Sequence, residues 1–249
     1  MRGLRPLVTA AGLLLLWQAV VWATGVQRFI LPGPAAVGKA LWGRRDLLAL
    51  HAAVTAAEVA IGIVLGCLTG VLMALLLAAF APLRRWLLPV LVMSQALPVF
   101  ALAPLLVLWL GYGMASKVAV AVLIIFFPVT SAFYDGLKRT EPGWIELARV
   151  MGAKPGAILR RIRVPAALPA FASGLRVAAV YAPIGAVIGE WVGSSRGLGF
   201  LMLHANGRMQ TDLMFAAVVV LAALSLGLYA LIDRLGRRLL RWQPETLAV

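Results

Sequence analysis

The sequence predicts an all-α, polytopic membrane protein with about six transmembrane helices in one domain spanning residues 1–249. Three observations carry this. Apolar residues make up 63% of the 249, and mean hydropathy is +0.97. Charged residues are only 13%, about half the share of an ordinary soluble domain. Finally, the chain contains uncharged runs of bilayer length, at 6–27, 59–83, 86–116 and 213–232, where a spanning helix needs about 20 apolar residues. A shorter uncharged run covers 118–134, and 165–189 is broken only by Arg176. A water-soluble enzyme would need more polar surface than this chain has.

The first span is placed at 7–26. It is read as retained, since the run is long for a signal peptide and lacks a clear small-residue cleavage site. Pro32 and Pro34 then break the ladder, and 35–50 reads as a short mixed helix near the outer surface. The second span, 54–80, carries Gly62, Gly66 and Gly70 on one face, a spacing that lets another helix approach closely. The third, 87–110, contains Pro89, Pro98 and Pro104. The fourth covers 117–137. A hydrophilic loop, 138–165, separates it from the fifth, 166–189, which holds Pro183 and leads into Gly185, Gly189 and Gly193. The sixth, 213–233, ends in a basic tail.

Lys and Arg set the orientation. With the N-terminus inside, the inner segments hold 15 basic residues: Arg2, Arg5, Arg84, Arg85, Lys138, Arg139, Arg149, Lys154, Arg160, Arg161, Arg163, Arg234, Arg237, Arg238 and Arg241. The outer segments hold seven: Arg28, Lys39, Arg44, Arg45, Lys117, Arg196 and Arg208. The positive-inside bias therefore puts both termini in the cytoplasm. Nucleic-acid binding is set aside, because the basic residues flank lipid-length helices without aromatic interleaving.

Several chemistries are missing. Two His and one Cys, Cys67 in the second span, make a zinc site a poor reading, and no metal ligands or catalytic residues emerge. Residues 33–40 (GPAAVGKA) nearly spell a phosphate-binding loop. However, Ala40 supplies no hydroxyl for Mg²⁺, no strand pattern precedes the stretch, and the topology places it outside.

The loop 138–165 is the informative segment. Trp144, Leu147, Ala148 and Met151 fall at i, i+3, i+4 and i+7, one apolar stripe on a helix. Gly152 ends that helix or turns a corner, and Pro155 suits the first turn of a second short helix with Ile158, Leu159 and Ile162 on its apolar side. The residues alone leave two readings open: a ridge for a groove in a partner protein, or an amphipathic segment on anionic lipid.

Glu146 and Ala148, Gly152 six residues after Glu146, then Ile162 and Pro165 resemble the E-A-A…G…I-x-L-P loop of binding-protein-dependent ABC importer permeases, with Leu147 and Val164 as departures. Residues 94–101 (SQALPVFA), 182–193 (APIGAVIGEWVG) and 203–206 (LHAN) look like the nitrate, sulfonate and taurine branch, and within it like permeases for hydroxymethylpyrimidine-type thiamine precursors. The resemblance implies a type I importer in the bacterial inner membrane. Its parts would be two permease copies (a homodimer being simplest), two cytoplasmic ATPases that use ATP and Mg²⁺, and an extracytoplasmic solute-binding protein. This chain would hold no cofactor and catalyse nothing. Trp144, Glu146, Leu147, Ala148, Met151, Gly152, Ile162 and Pro165 would couple it to the ATPase. Alternating access at the dimer interface would move a small polar solute: a thiamine-precursor pyrimidine, or alternatively a sulfonate, taurine or nitrate. An ion-coupled secondary transporter would show paired half-repeats and midplane carboxylates, and neither is seen. A scaffold without transport would leave the spaced loop unexplained.

Candidate path residues are Gln95, Pro98, Tyr181, Pro183, Glu190, His204 and Asn206. Each also has a plainer reading. Glu190 is either an outer-gate or substrate contact, or a helix-end charge facing water or pairing with Arg196. Gln95, Tyr181, His204 and Asn206 either touch a heteroaromatic solute or serve packing and capping. Pro98 and Pro183 either break helices beside the path or make kinks accommodated by neighbours. Glu58 either pairs with Arg176 or snorkels to the outer interface.

Overall fold

The computed structural model describes residues 4–243, which form helices α1 (Leu4–Thr24), α2 (Pro34–Gly43), α3 (Arg45–Ala79), α4 (Ala81–Ser94), α5 (Val99–Leu110), α6 (Met114–Lys138), α7 (Pro142–Val150), α8 (Pro155–Ile158), α9 (Val164–Gly193), α10 (Leu198–Gly207) and α11 (Thr211–Leu239). No strand occurs among the described residues, and Arg2 of the inner basic set lies outside them. By length and composition α3, α6, the run Pro155–Gly193 and α11 can each cross a bilayer. The pair α4 and α5 forms a further candidate, and the apolar part of α1, Val8–Thr24, is shorter. These are the six segments that the uncharged runs mark out.

Helix α6 is the axis, with α3 and α9 packed along it. Water is absent from the hydrocarbon layer, so close backbone approach through small residues replaces hydrophobic burial as the source of contact. A Cβ on Gly62 would lie 2.7 Å from that of Ala121, and one on Gly66 would lie 2.6 Å from Ile125. One on Gly70 would lie 2.9 Å from the Phe126 carbonyl. The expected glycine face of the second span is therefore the α3–α6 seam. From the other side Gly174, Gly185 and Gly189 press on Pro128, Ala121 and Lys117 of α6.

The core divides into three clusters along the length of the bundle. One gathers Val37, Leu48, Leu198, Leu201 and Leu213 near the start of α10. The middle one holds Val59, Ile63, Ile125, Val129 and Ala182. The third, toward the other end, holds Leu77, Leu91, Phe133, Leu137 and Ala167. Helix α1 is attached more loosely; its Trp17 stacks on Phe215 of α11 at 5.9 Å.

Four expectations change in the structure. The third span is no continuous rod, since α4 and α5 meet at 101°. Pro98 has no amide to donate and pushes Leu97 out of helical geometry, so the chain turns at 95–98 and Pro98 precedes α5 in extended backbone. The second span begins nine residues early, at Arg45, because a helix of 35 residues is about 50 Å long and its first turns stand clear of a hydrocarbon layer of about 30 Å. The fifth span runs straight on from Pro155, so the second arm of the loop belongs to the span. A five-residue π turn, Leu159–Arg163, lies just before Pro165, and the Val164 amide reaches back to the Leu159 carbonyl. The widened turn falls where proline would otherwise interrupt the ladder. Lastly, Arg176 does not pair with Glu58. It pairs with Asp233 of α11 at 3.0 Å, and Asp233 also binds Arg237.

Candidate functional site

Two sites emerge at opposite ends of the helices. At the end bearing most of the basic charge, Pro142 opens α7 after an extended Glu141, as suits a residue whose missing amide has no partner in the first turn. Ala148 and Ile158 are buried, while Trp144, Leu147, Val150 and Met151 are exposed. The turn at Gly152 is a Schellman motif. The Gly152 amide donates to the Arg149 carbonyl and that of Ala153 to the Ala148 carbonyl, both at 2.9 Å. Gly152 has φ +78° and nothing within 4 Å of a built Cβ, so its sign of φ, and not crowding, requires glycine. An open groove of about 490 Å³ runs beside the ridge, lined by Trp144, Leu147, Met151, Ile162, Pro165 and also Trp242. The loop thus presents Trp144, Leu147, Met151, Ile162 and Pro165 on one surface; Glu146 is exposed on α7.

At the other end, side chains from α3 and α9 receive three successive amides that open α10. Gly197 donates to His51 Nδ1 at 2.9 Å, Leu198 to Thr55 Oγ1 at 2.8 Å, and Gly199 to Glu190 Oε2. The Thr55 hydroxyl in turn donates to Glu190 Oε1 at 2.6 Å. A helix start leaves such amides without intrahelical partners and favours an anion. Glu58, one turn beyond Thr55 and fully buried, lies 3.3 Å from Lys117 Nζ. Glu190 is 1% exposed, so it neither faces water nor pairs with Arg196; it anchors α10.

The remaining path candidates do not converge. Gln95 sits at the α4–α5 break, its amide on Ser94 Oγ at 3.2 Å. Tyr181 is on the open face of α9, while Pro183 is buried within that helix. His204 is exposed on α10 and stacks on Phe200, which stacks on His51. Asn206 is exposed near the end of α10. Sequence reading missed His51, Thr55 and Lys117. The spacing of 51, 55 and 58 on one helical face was visible, but His51 fell outside the span as drawn. Among the described residues no group of His, Cys, Asp or Glu could hold a metal ion.

A bundle of apolar helices carrying one protruding, glycine-terminated ridge is the form of a transporter's membrane subunit. The chain belongs to the family described as binding-protein-dependent transport system inner membrane component, which residues 62–241 match. It is thus a multi-span permease subunit of an ABC importer, a family in which ATP hydrolysis belongs to a separate subunit. A probable ABC transporter permease of Haemophilus influenzae is 53% identical over 95% of this chain and 97% of its own. The riboflavin permease RibX of Chloroflexus aurantiacus is 42% identical over 96% and 90%. The formylaminopyrimidine permease ThiX of Halalkalibacterium halodurans is 37% identical over 98% of both chains. A chain of the MetNI methionine ABC transporter shares the fold, with TM-score 0.61 and 22% identity over 83% of this chain and 97% of that one.

Proposed function

We propose that this chain forms the membrane path of an importer for a planar nitrogen heterocycle, a hydroxymethylpyrimidine- or formylaminopyrimidine-type thiamine precursor. Two copies form the path between them, two cytoplasmic ATPases drive it, and an extracytoplasmic binding protein delivers solute. Both termini lie in the cytoplasm. ATP and Mg²⁺ are bound by the ATPases; this chain holds no cofactor and is not itself an enzyme.

The observation that carries the reading is the ridge Trp144–Leu147–Met151, exposed on a helix whose end is fixed by Gly152. Exposed apolar side chains on α7 suit a cleft in the ATPase, and its connection through the Gly152 turn to a continuous Pro155–Gly193 run would carry motion into the spans. Full-length likeness to a formylaminopyrimidine permease supports the substrate class. A flavin is the second reading, favoured by the higher identity to a riboflavin permease.

Replacing Gly152 by Asp, with Glu146→Lys as a companion, tests the coupling. Both variants should insert normally, lose the co-purifying ATPase, and lose hydrolysis stimulated by the binding protein. Wild-type values for both would remove the lever assignment. Titrating the cognate binding protein with the pyrimidine, riboflavin and taurine decides the substrate.

A further inference from the structure

Where α4 leaves the turn after α3, it meets the basic end of α6 across a cavity of about 470 Å³. Arg84 and Arg85 come from α4, as do Leu88 and Pro89, which form an apolar wall. Tyr134 and Lys138, one turn apart, come from α6. Among the described residues no carboxylate lines the cavity, and the side chains of Arg84, Arg85 and Lys138 make no ion pair. Asp135, next along α6, is exposed and does not contribute to the lining. Tyr134 is only 9% exposed, and its hydroxyl, accessible rather than buried, makes no hydrogen bond among the described residues.

Three cations and a free hydroxyl donor around one concavity call for an anion with several acceptor oxygens. The apolar wall calls for something attached to that anion that is not water-like. Trp86, next to Arg85 in sequence, is 81% exposed, the placement of an aromatic at the headgroup level. We propose that this cavity binds the phosphate of an anionic phospholipid, taken from the leaflet that the charge bias assigns to the cytoplasm. Basic pockets between spans on that side are suited to such headgroups. Orientation alone would account for the charges, since positive-inside residues need only be near the span ends; it accounts for neither the cavity nor the unbonded Tyr134. A free phosphate would use the cations and leave the Leu88–Pro89 wall without a role.

The test is lipid retention by the full-length permease, purified in mild detergent and weighed by native mass spectrometry after reconstitution with phosphatidylcholine and phosphatidylglycerol together. Wild type should keep phosphatidylglycerol in preference. Arg84→Gln with Lys138→Gln should keep about tenfold less, Arg85 remaining to hold the orientation. Leu88→Trp fills the cavity with every charge in place and should lower retention to the same degree. Tyr134→Phe should lower it about threefold, the loss of one donor. Retention at the wild-type level in both the charge variant and Leu88→Trp would overturn the proposal. Displacement of the lipid by inorganic phosphate would overturn it in favour of a soluble anion. Loss of the co-purifying ATPase with lipid retention unchanged would make the cluster a protein contact, which also overturns it. Retention is read without ATP or solute, so its outcome is independent of the coupling assignment.

Discussion

The Thr55 hydroxyl donates to Glu190 at 2.6 Å and accepts from the Leu198 amide at 2.8 Å. One buried side chain of α3 therefore joins the end of α9 to the start of α10. All of these groups sit where neither water nor lipid can replace a lost partner. Glu190→Ala strands the Thr55 hydroxyl and the Gly199 amide together, at about 1–3 kcal/mol for each unsatisfied group. We expect a clear drop in the unfolding temperature of the purified permease and weaker transport. Glu190→Gln keeps one acceptor oxygen and should lose roughly half as much. An alanine variant as stable as wild type would mean that Glu190 does not hold α10.

Gly197 tests the same clasp from the opposite side. Its φ is +113°, and a Cβ there would run into the Glu190 carboxylate. Gly197→Ala meets both the backbone penalty and the collision, and should cost about 3 kcal/mol or more. Gly207, in the same helix with nothing within 4 Å of a built Cβ, should accept alanine within about 0.5 kcal/mol. Equal melting temperatures for the two variants would count against the clasp.

Much of the fold was legible because lipid imposes a simple rule: uncharged runs of sufficient length become helices. The ridge was legible for a similar reason, since Trp144, Leu147 and Met151 repeat at helical spacing and Gly152 stops them. What escaped depends on which side of a helix faces protein. Glu58 and Arg176 are each the kind of charge that needs a partner, yet their partners, Lys117 and Asp233, are fixed by helix rotation that no single-helix pattern gives. His51 lies above the apolar run, so a hydropathy boundary excluded it although α3 continues through it. The α4–α5 break was half visible: Pro98 marked the place, but a kink and a 101° turn have the same sequence signal.

The seam between α3 and α6 gives the next prediction. At Gly66 a Cβ would lie 2.6 Å from Ile125 Cγ2 and 2.8 Å from its Cβ. Ile125 is wholly buried and its β-branched side chain is stiff, so it has nowhere to go. Gly66→Val should therefore push the helices apart at a cost of about 1–3 kcal/mol. Leu68, exposed at 61% on the other face of α3, should accept valine nearly neutrally. Ile125→Ala in the Gly66→Val background should recover part of the loss by making room. Absence of any recovery, measured as thermal stability in nanodiscs, would show that the close approach at Gly66 is not what limits the substitution.

Gly152 separates stability from coupling. Its positive φ would cost an alanine about 1 kcal/mol, while the open space around it predicts no clash. Gly152→Ala should thus remain folded and inserted, with a melting temperature lowered by a few degrees at most. A residue that resists this φ will tend to undo the Schellman bonds from Gly152 and Ala153 to Arg149 and Ala148, tilting the Trp144–Met151 ridge against the rest of the chain. If ridge orientation transmits the push of the ATPase, ATP hydrolysis should continue while solute uptake per ATP falls several-fold, and Gly152→Asn, which tolerates this conformation better, should recover part of the ratio. Uptake and hydrolysis falling together, with no recovery by asparagine, would make Gly152 a stability residue and leave the orientation of the ridge without a role in coupling.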